Sequence, residues 1–247
     1  MGAVVSSVEL IAPAKLTLSL HVTGVRSDGY HLIDAEMVSL ELADILRIAE
    51  SKTTSITITG PYADGVPTDD SNLIARALNL VGRNASVEIV KNIPNGGGLG
   101  GGSSNAAAVL RWAGCNDPEI GARIGADVPY CMIGRRSRVR GIGEIVEPIT
   151  GESEPITLVL PPVQSPTPAV FKQWDAMGRP HGENGNDLEP AACAAVPELA
   201  MWRDRIASTG SRPLLAGSGS TWFLRGHHPE IADALAGAQV HLTSTLD

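Results

Sequence analysis

A run of glycines between a strand-like segment and an alanine-rich segment constrains this chain more than any other feature. The run occupies residues 96–102 in the order Gly-Gly-Gly-Leu-Gly-Gly-Gly, and Ser103 and Ser104 follow it. Residues 85–91 alternate in polarity, which favours a strand, and residues 105–112 contain three consecutive alanines, which favour a helix. We therefore predict a strand, a glycine loop and a helix N-terminus, with Ser103 or Ser104 as the helix cap.

A glycine loop in this position suits an anionic ligand. Glycine lets backbone N–H groups approach an anion without a Cβ atom in the way, and a helix N-terminus adds unpaired donors and the positive end of the helix dipole. The hydroxyls of Ser103 and Ser104 could also reach a phosphate oxygen or a metal ion. A flexible linker is the alternative, but linkers usually lie between domains and do not join a strand to a strong helix former. The pattern predicts a phosphate-binding loop.

The loop does not match the common phosphate-binding motifs. The Walker sequence Gly-Lys-Ser/Thr occurs nowhere in the chain. Gly96, Gly98 and Gly101 have the spacing of the dinucleotide fingerprint, but no strand ending in an acidic residue follows the helix. The Val-Ala-Ile-Lys strand of protein kinases is also absent. The loop therefore belongs to another type.

Charge and cysteine content exclude several classes of function. The net charge of −8 argues against non-specific binding to nucleic acid or to an anionic membrane. Because no apolar run reaches membrane-spanning length and the N-terminus lacks a signal-peptide pattern, we expect a cytoplasmic protein. Cys115, Cys131 and Cys193 are odd in number and lack metal-site or Cys-x-x-Cys spacing, which predicts free thiols in a reducing compartment.

The chain is long enough for two domains, and its pattern changes near the polar residues 151–155. We therefore predict domains at 1–150 and 151–247. In the first, apolar patterns predict strands at 4–10, 16–22, 35–42, 45–48, 53–59, 85–91, 130–133 and 137–139 and helices at 72–81 (capped by Ser71), 105–112 and 117–124. In the second, strands at 156–160, 212–216, 221–224 and 240–243 alternate with helices at 169–177, 197–206 and 229–235, which indicates an α+β unit of the ferredoxin type.

Lys15 and Asp127 are the candidate catalytic residues. Lys15 ends the segment Ala-Pro-Ala-Lys, and Asp127 stands between Gly125 and Pro129. Taken singly, the lysine could be a solvent-exposed side chain and the aspartate a turn or capping residue. Together beside a phosphate loop, the aspartate could accept or orient a hydroxyl proton. The lysine could keep the aspartate ionised and stabilise charge on a transferred phosphoryl group.

Two further segments are candidate ligand contacts. Tyr30 could stack on a base and His31 could hydrogen-bond its edge, although both could equally pack on the protein body. Residues 217–220, Gly-Ser-Gly-Ser, form a small-residue turn that could approach phosphates or could be a tight hairpin.

Three of these motifs, at residues 12–15, 94–104 and 216–220, resemble the signatures of the GHMP small-molecule kinases. The segments 26–31, 125–129 and 141–144 resemble one branch of that superfamily. That branch phosphorylates the C2 hydroxyl of a cytidine-diphosphate-linked methylerythritol in non-mevalonate isoprenoid biosynthesis. The resemblance implies an α+β, two-domain GHMP kinase fold, with an N-terminal α/β domain, a C-terminal ferredoxin-like domain and the active site between them. It also implies ATP and Mg²⁺ as cofactors, with no metal ligand assignable.

The resemblance also implies residue roles. Lys15 and Asp127 fall on catalytic positions, Lys91 and Asn72 where the adenine end is held, and Tyr30 and His31 where cytosine is recognised. The ATP loop is implied to comprise Pro94, Asn95, Gly96, Gly97, Gly98, Leu99, Gly100, Gly101, Gly102, Ser103 and Ser104. Further substrate contacts are expected at Thr17, Gly217, Ser218 and Gly219.

The chain departs from the family pattern at two places. Thr17 stands where the family usually has asparagine, and the segment 112–125 is about ten residues shorter than usual. Two alternatives remain: a GHMP kinase for a different alcohol, and a non-catalytic nucleotide-binding relative. Tyr30 and His31 argue against the first, and the retained Lys15 and Asp127 argue against the second.

Overall fold

The computed structural model describes residues 6–246 of the chain. Its strands are β1 (Val8–Val25), β2 (His31–Glu50), β3 (Ser55–Thr59), β4 (Ala85–Val90), β5 (Ser137–Gly141), β6 (Ile145–Pro148), β7 (Pro155–Leu160), β8 (Leu214–Leu215), β9 (Trp222–Arg225) and β10 (Gln239–Leu246). Its helices are α1 (Leu73–Leu80), α2 (Gly101–Trp112), α3 (Pro118–Ala122), α4 (Val128–Ile133), α5 (Thr167–Ala176), α6 (Glu189–Ala195), α7 (Pro197–Ala207) and α8 (Ile231–Ala234). Within residues 6–246, no helix has the length and hydropathy needed to cross a bilayer.

The N-terminal part is organised around strand β2. This strand pairs antiparallel with β1, β4 and β5, and β3 lies parallel to β4. The prediction of separate short strands up to residue 48 was wrong, because β1 and β2 are continuous. Register shifts at Pro13/Lys15 and Thr17/Ser19 let β1 bend without losing its partner. Residues 4 and 5 of the first predicted strand lie outside the described residues.

The C-terminal part has ferredoxin-like connectivity, as predicted. Its strands lie in the order β10-β7-β9-β8, every neighbouring pair is antiparallel, and helices connect β7 to β8 and β9 to β10. Strand β10 also pairs with β2, through Thr245 opposite Leu40 and Leu246 opposite Ser39. The two parts therefore share one continuous sheet.

Two apolar clusters stabilise this arrangement. The larger one contains the buried faces of α1, α2, α4, α5, α6 and α7 together with one face of the sheet. The smaller one combines residues of β1 and β2, such as Leu16 and Leu40, with Leu158 of β7, Phe223 of β9 and Leu99 of the glycine loop. Burying these side chains together removes apolar surface from water at the junction of the two parts. The smaller cluster thus fixes the glycine loop to both parts.

Several predicted helix boundaries need correction. The cap of α2 is Gly100, in the left-handed conformation (φ 67°), and neither Ser103 nor Ser104 caps the helix. The cap of α1 is Asn72 and not Ser71. Residues 130–133 lie in helix α4 and not in a strand, since a short apolar run is compatible with either and Pro129 favours a first helical turn. Helix α6 was not predicted.

Candidate active site

The glycine loop packs directly against strand β1. Leu99 is buried, and its carbonyl oxygen accepts a hydrogen bond of 2.9 Å from the backbone N–H of Lys15. A Cβ atom at Gly100 would lie 2.6 Å from Cγ of Lys15, and Gly100 has a positive φ of 67°. Glycine is therefore required at this position for both conformation and space. The predicted order of strand, glycine loop and helix is confirmed, and the loop borders Lys15.

A second glycine turn, residues 217–219, packs against the first. A Cβ atom at Gly98 would lie 2.6 Å from the carbonyl oxygen of Gly219. The hydroxyl of Thr221 donates to the carbonyl oxygen of Gly97 at 2.7 Å. The side-chain amide of Asn186 donates to the carbonyl oxygens of Leu215 and Gly217, each at 2.8 Å. The two turns therefore form one surface of small residues and backbone groups.

Lys15 and Asp127 lie together beside this surface. Nζ of Lys15 is 3.4 Å from Oδ2 of Asp127 and 3.3 Å from the hydroxyl of Thr17. The lysine side chain is 9% exposed and the aspartate side chain 35% exposed. Asp127 occupies the N-cap position of α4 but accepts no capping hydrogen bond, so its carboxylate is not used to cap the helix. This removes the capping-residue explanation for Asp127.

The neighbouring thiol of Cys131 is not a candidate nucleophile. Cys131 is buried in α4, one turn after Asp127. Burial, and secondarily the negative charge of Asp127, raises the pKa of the Cys131 thiol to about 12. Because the thiolate is the reactive form, this cysteine is inert at neutral pH.

A cavity of about 630 Å³ opens between the two parts of the chain next to Lys15 and Asp127. Of the predicted site residues, Thr17, Tyr30, His31, Gly217 and Ser218 line it as well. Gly219 lies behind them, against the glycine loop. The sequence-predicted catalytic and substrate residues are therefore brought to one cavity, Gly219 excepted.

Helix α5 supplies a cavity wall that sequence reasoning missed. Phe171, Lys172 and Asp175 line the cavity from this helix. The ring of His31 stacks on Phe171, with 4.5 Å between ring centroids and 25° between the planes. Nε2 of His31 is 2.9 Å from Oδ2 of Asp175. The helix itself was predicted at 169–177, but the sequence pattern does not indicate which side of it faces a ligand.

Lys91 and Asn72 make hydrogen bonds within the protein. The Lys91 side chain is 3% exposed, and its Nζ lies 2.7 Å from Oδ2 of Asp44 and 2.9 Å from the carbonyl oxygen of Ile93. Asn72 accepts from the N–H of Ile74 at 2.9 Å and donates to a loop carbonyl at 2.7 Å. Neither residue lines the cavity. Contact of Lys91 and Asn72 with adenine remains a prediction.

Asp44 is a buried carboxylate that the sequence did not single out. Its second oxygen accepts hydrogen bonds from the backbone N–H groups of Asn92 and Ile93, at 2.7 and 2.8 Å. A Cβ atom at Gly101 would lie 2.6 Å from Nζ of Lys91. The Asp44–Lys91 pair therefore supports the glycine loop from beneath, at the point where α2 begins.

The start of helix α2 offers an oxygen donor that is compatible with a magnesium–nucleotide complex. Within residues 6–246, no group of three or more His, Cys, Asp or Glu side chains is arranged to hold a metal ion. Magnesium bound through nucleotide phosphates usually needs only one or two protein oxygens. The Ser103 hydroxyl, partly exposed in the first turn of α2, is a hard oxygen donor of the required kind.

Comparison with known proteins gives a consistent result. The family described as "GHMP kinases N terminal domain" matches residues 72–135. A protein of Paracoccus denitrificans, named 4-diphosphocytidyl-2-C-methyl-D-erythritol kinase, is 40% identical over 86% of this chain and 84% of its own length. A protein of the same name from Cereibacter sphaeroides (strain ATCC 17029) is 39% identical over 93% of each chain.

Solved structures agree with these relatives. A crystal structure of 4-(cytidine 5'-diphospho)-2C-methyl-D-erythritol kinase superposes with a TM-score of 0.78 at 30% identity, over 97% of this chain and 100% of the other. Homoserine kinase from Cytophaga hutchinsonii superposes with a TM-score of 0.61 at 15% identity, over 100% of this chain and 96% of the other. At 15% identity, the similarity to homoserine kinase shows only that the fold is shared.

A likeness this broad in sequence and in fold defines the chain as a GHMP kinase, a class of ATP-dependent small-molecule kinases. Within that class, relatives that are 39–40% identical over more than four fifths of both chains carry one name. The chain belongs to the family of 4-diphosphocytidyl-2-C-methyl-D-erythritol kinases. The predicted family, α+β fold and enzyme class are confirmed.

Proposed function

We propose that this chain transfers the γ-phosphoryl group of ATP to the C2 hydroxyl of 4-diphosphocytidyl-2-C-methyl-D-erythritol, a step of non-mevalonate isoprenoid precursor biosynthesis. The observation that carries the proposal is that the Lys15–Asp127 pair and the aromatic residues Tyr30 and His31 line one cavity. The glycine loop contacts Lys15, which lines that cavity. The names of the relatives supply the particular substrate.

In this proposal the glycine loop binds the triphosphate of ATP. Gly96, Gly98 and Gly102 are exposed, and helix α2 begins within the loop at Gly101. The first N–H groups of a helix lack partners within it, and together with the helix dipole they favour an anion. In a chain of net charge −8, such local donors are the means of holding a polyphosphate.

Asp127 then acts on the alcohol, and Lys15 acts on the phosphoryl group that is transferred. The C2 oxygen forms a bond to the γ-phosphorus as the bond to the β–γ bridging oxygen breaks, and ADP leaves. Asp127 accepts the hydroxyl proton, and its partial exposure leaves it accessible to the alcohol. Lys15, whose Nζ lies 3.4 Å from that carboxylate, offsets the negative charge on the moving phosphoryl group.

We infer that Mg²⁺ enters with ATP. The Ser103 hydroxyl, which is partly exposed in the first turn of α2, is the protein oxygen that would hold it, beside the phosphates. The bound ion would neutralise charge on the β- and γ-phosphates.

Tyr30, His31 and Phe171 form the proposed base subsite. Tyr30 lines the cavity and is 60% exposed, so the face of its ring is accessible to a ligand. His31 is held by Phe171 at its face, so its hydrogen-bonding edge is oriented. An aromatic face with an oriented polar edge suits a pyrimidine base.

We also propose the domain boundary and the location of the protein. Strand β7 begins at Pro155, directly after the polar segment that suggests a division into 1–150 and 151–247. Cys115, Cys131 and Cys193 are free thiols, which fits a protein of the reducing cytoplasm.

The test is an ADP-release assay with the cytidyl substrate against a panel of other alcohols, including mevalonate and homoserine. We expect turnover with the cytidyl substrate alone. Turnover with another alcohol would point to a sibling kinase, and ATP binding without any turnover would point to a non-catalytic relative. Tyr30→Ala should raise KM for the cytidyl substrate about tenfold, the scale of one stacked base, and leave KM for ATP unchanged. Equal effects on the two KM values would contradict base stacking.

A further inference from the structure

The contact between His31 and Asp175 determines which hydrogen bonds the base subsite can make. Nε2 of His31 lies 2.9 Å from Oδ2 of Asp175, and the other oxygen of Asp175 lies 3.0 Å from Nε of Arg179. Both oxygens of this carboxylate are therefore engaged. An ionised carboxylate can only accept hydrogen bonds, so Nε2 of His31 must carry its proton.

The position of the imidazole is fixed on three sides by helix α5. Phe171 stacks on the ring face, and Trp174 meets the ring at 80° with 5.7 Å between centroids. Asp175 holds one edge. The side chain is only 12% exposed, and the residue lines the cavity. A ring held in this way cannot turn over to exchange its two nitrogens at little cost.

The other ring nitrogen, Nδ1, is left for a ligand. Among residues 6–246, Nδ1 makes no hydrogen bond, and this atom is not fully buried. In a neutral imidazole with a proton on Nε2, Nδ1 is an acceptor. It therefore requires a donor on the ligand.

Resting on the proposed function, we infer that Asp175 is a positioning residue that selects a 4-amino pyrimidine over a 4-keto pyrimidine. Asp175 fixes His31 as the Nε2–H tautomer, so that Nδ1 accepts from the exocyclic amine of cytosine. Uracil presents a carbonyl oxygen at the same position, and two acceptors facing each other leave both without a partner. An unsatisfied buried polar group weakens binding by roughly ten- to hundredfold.

The kinetic test compares the cytidyl substrate with its uridine-diphosphate counterpart, for the wild type and for Asp175→Asn. We expect the wild type to prefer the cytidyl substrate by about a hundredfold in kcat/KM. The amide of Asp175→Asn can donate to Nε2, which moves the ring proton to Nδ1. The preference of the variant for the cytidyl substrate, as the ratio of the two kcat/KM values, should therefore be at least about tenfold smaller than that of the wild type. Its KM for ATP should be unchanged.

The matched control is Arg179→Gln. This change removes the ion pair of Asp175 with Arg179 but leaves the carboxylate beside His31. We expect Arg179→Gln to keep the wild-type preference. A preference unchanged in Asp175→Asn, or lost equally in Arg179→Gln, would overturn the inference.

An independent readout is the tautomer of His31, measured by ¹⁵N NMR of histidine-labelled protein, with His31→Gln used to assign the signal. We expect a protonated Nε2 and an unprotonated Nδ1 in the free wild type, and the reverse in Asp175→Asn. A proton on Nδ1 in the wild type would overturn the inference. If the wild type turns over neither substrate, the proposed function fails, and base selection fails with it. If it turns over both equally, the kinase proposal stands and only the inference fails.

Discussion

Nζ of Lys15 lies 3.4 Å from Oδ2 of Asp127, although Lys15 belongs to a strand and Asp127 to the start of helix α4. The lysine is nearly buried and the aspartate is about one third exposed. This asymmetry suits a phosphoryl transfer in which the carboxylate meets the alcohol and the ammonium group stays in place behind it.

Replacing Asp127 with asparagine should abolish turnover and spare nucleotide binding. Asparagine has the same shape but cannot accept a proton, so we expect kcat to fall by about a hundredfold or more. ATP affinity, measured by calorimetry, should change little, because the glycine loop is untouched. Asp233→Asn, an exposed aspartate on α8, is the control. A near-normal kcat in Asp127→Asn would exclude Asp127 as the group that handles the hydroxyl.

Replacing Lys91 should destabilise the protein. The Lys91→Met variant would leave the fully buried carboxylate of Asp44 without its counter-ion, at a cost of about 3–5 kcal/mol. We expect a marked fall in the urea midpoint, whereas Lys52→Met, at an exposed lysine, should have no effect. Adding Asp44→Asn to Lys91→Met should recover part of the loss, since the amide oxygen can still accept from the N–H groups of Asn92 and Ile93.

The same variant also tests whether Lys91 contacts the adenine of ATP. If its main role were to hold adenine, Lys91→Met would raise KM for ATP while the urea midpoint stayed near that of the wild type. A large loss of stability with little change in KM would instead assign the residue to support of the glycine loop.

The sequence predicted the parts of the site that depend on local pattern. The glycine loop, the helix after it and the ferredoxin-like connectivity follow from residue type and period, and the structure bears them out. The pairing of Lys15 with Asp127 was a hypothesis from motif resemblance, and their distance is consistent with it.

The parts that sequence reasoning missed depend on tertiary packing. Asp44 lies in a long strand and shows nothing unusual until the fold places Lys91 beside it. Asp175 reads as a charged residue on an amphipathic helix, and only the meeting of α5 with the start of β2 places it beside His31. The apolar pattern predicts a strand at 130–133, whereas these residues lie in helix α4, because four consecutive apolar residues fit both periods.

Gly98 and Gly96 provide a matched pair for testing the contact between the two glycine turns. Both have a φ of 76°, so alanine causes similar backbone strain at each, about 1 kcal/mol. A Cβ atom at Gly98 would also lie 2.6 Å from the carbonyl oxygen of Gly219, whereas nothing lies within 4 Å of one at Gly96. Gly98→Ala should therefore lower the free energy of unfolding, measured in urea, by about 1–3 kcal/mol more than Gly96→Ala does. Equal losses would mean that the turns do not pack as described.

The three cysteines should differ widely in reactivity toward iodoacetamide. Burial, with the charge of Asp127 as a second cause, raises the pKa of Cys131 to about 12, and burial likewise raises the pKa of Cys193 to about 11. Below the pKa of a thiol, the fraction present as thiolate rises about tenfold for each unit of pH. At pH 8, the ionised fraction is therefore about 10⁻⁴ for Cys131 and about 10⁻³ for Cys193. We expect mass spectrometry of the native protein at pH 8 to find label on Cys115 first.

Raising the pH tests whether the pKa values of the Cys131 and Cys193 thiols are raised in this way. Between pH 8 and pH 10, labelling of the partly exposed Cys193 should accelerate by about a hundredfold, since its thiolate population rises with pH throughout that range. Cys131 should stay unlabelled, because it is buried as well as protonated. Cys115→Ser should remove the early label and leave the slow phase unchanged. Early labelling of Cys131 would show that α4 opens in solution, and the Lys15–Asp127 geometry would then describe only part of the population.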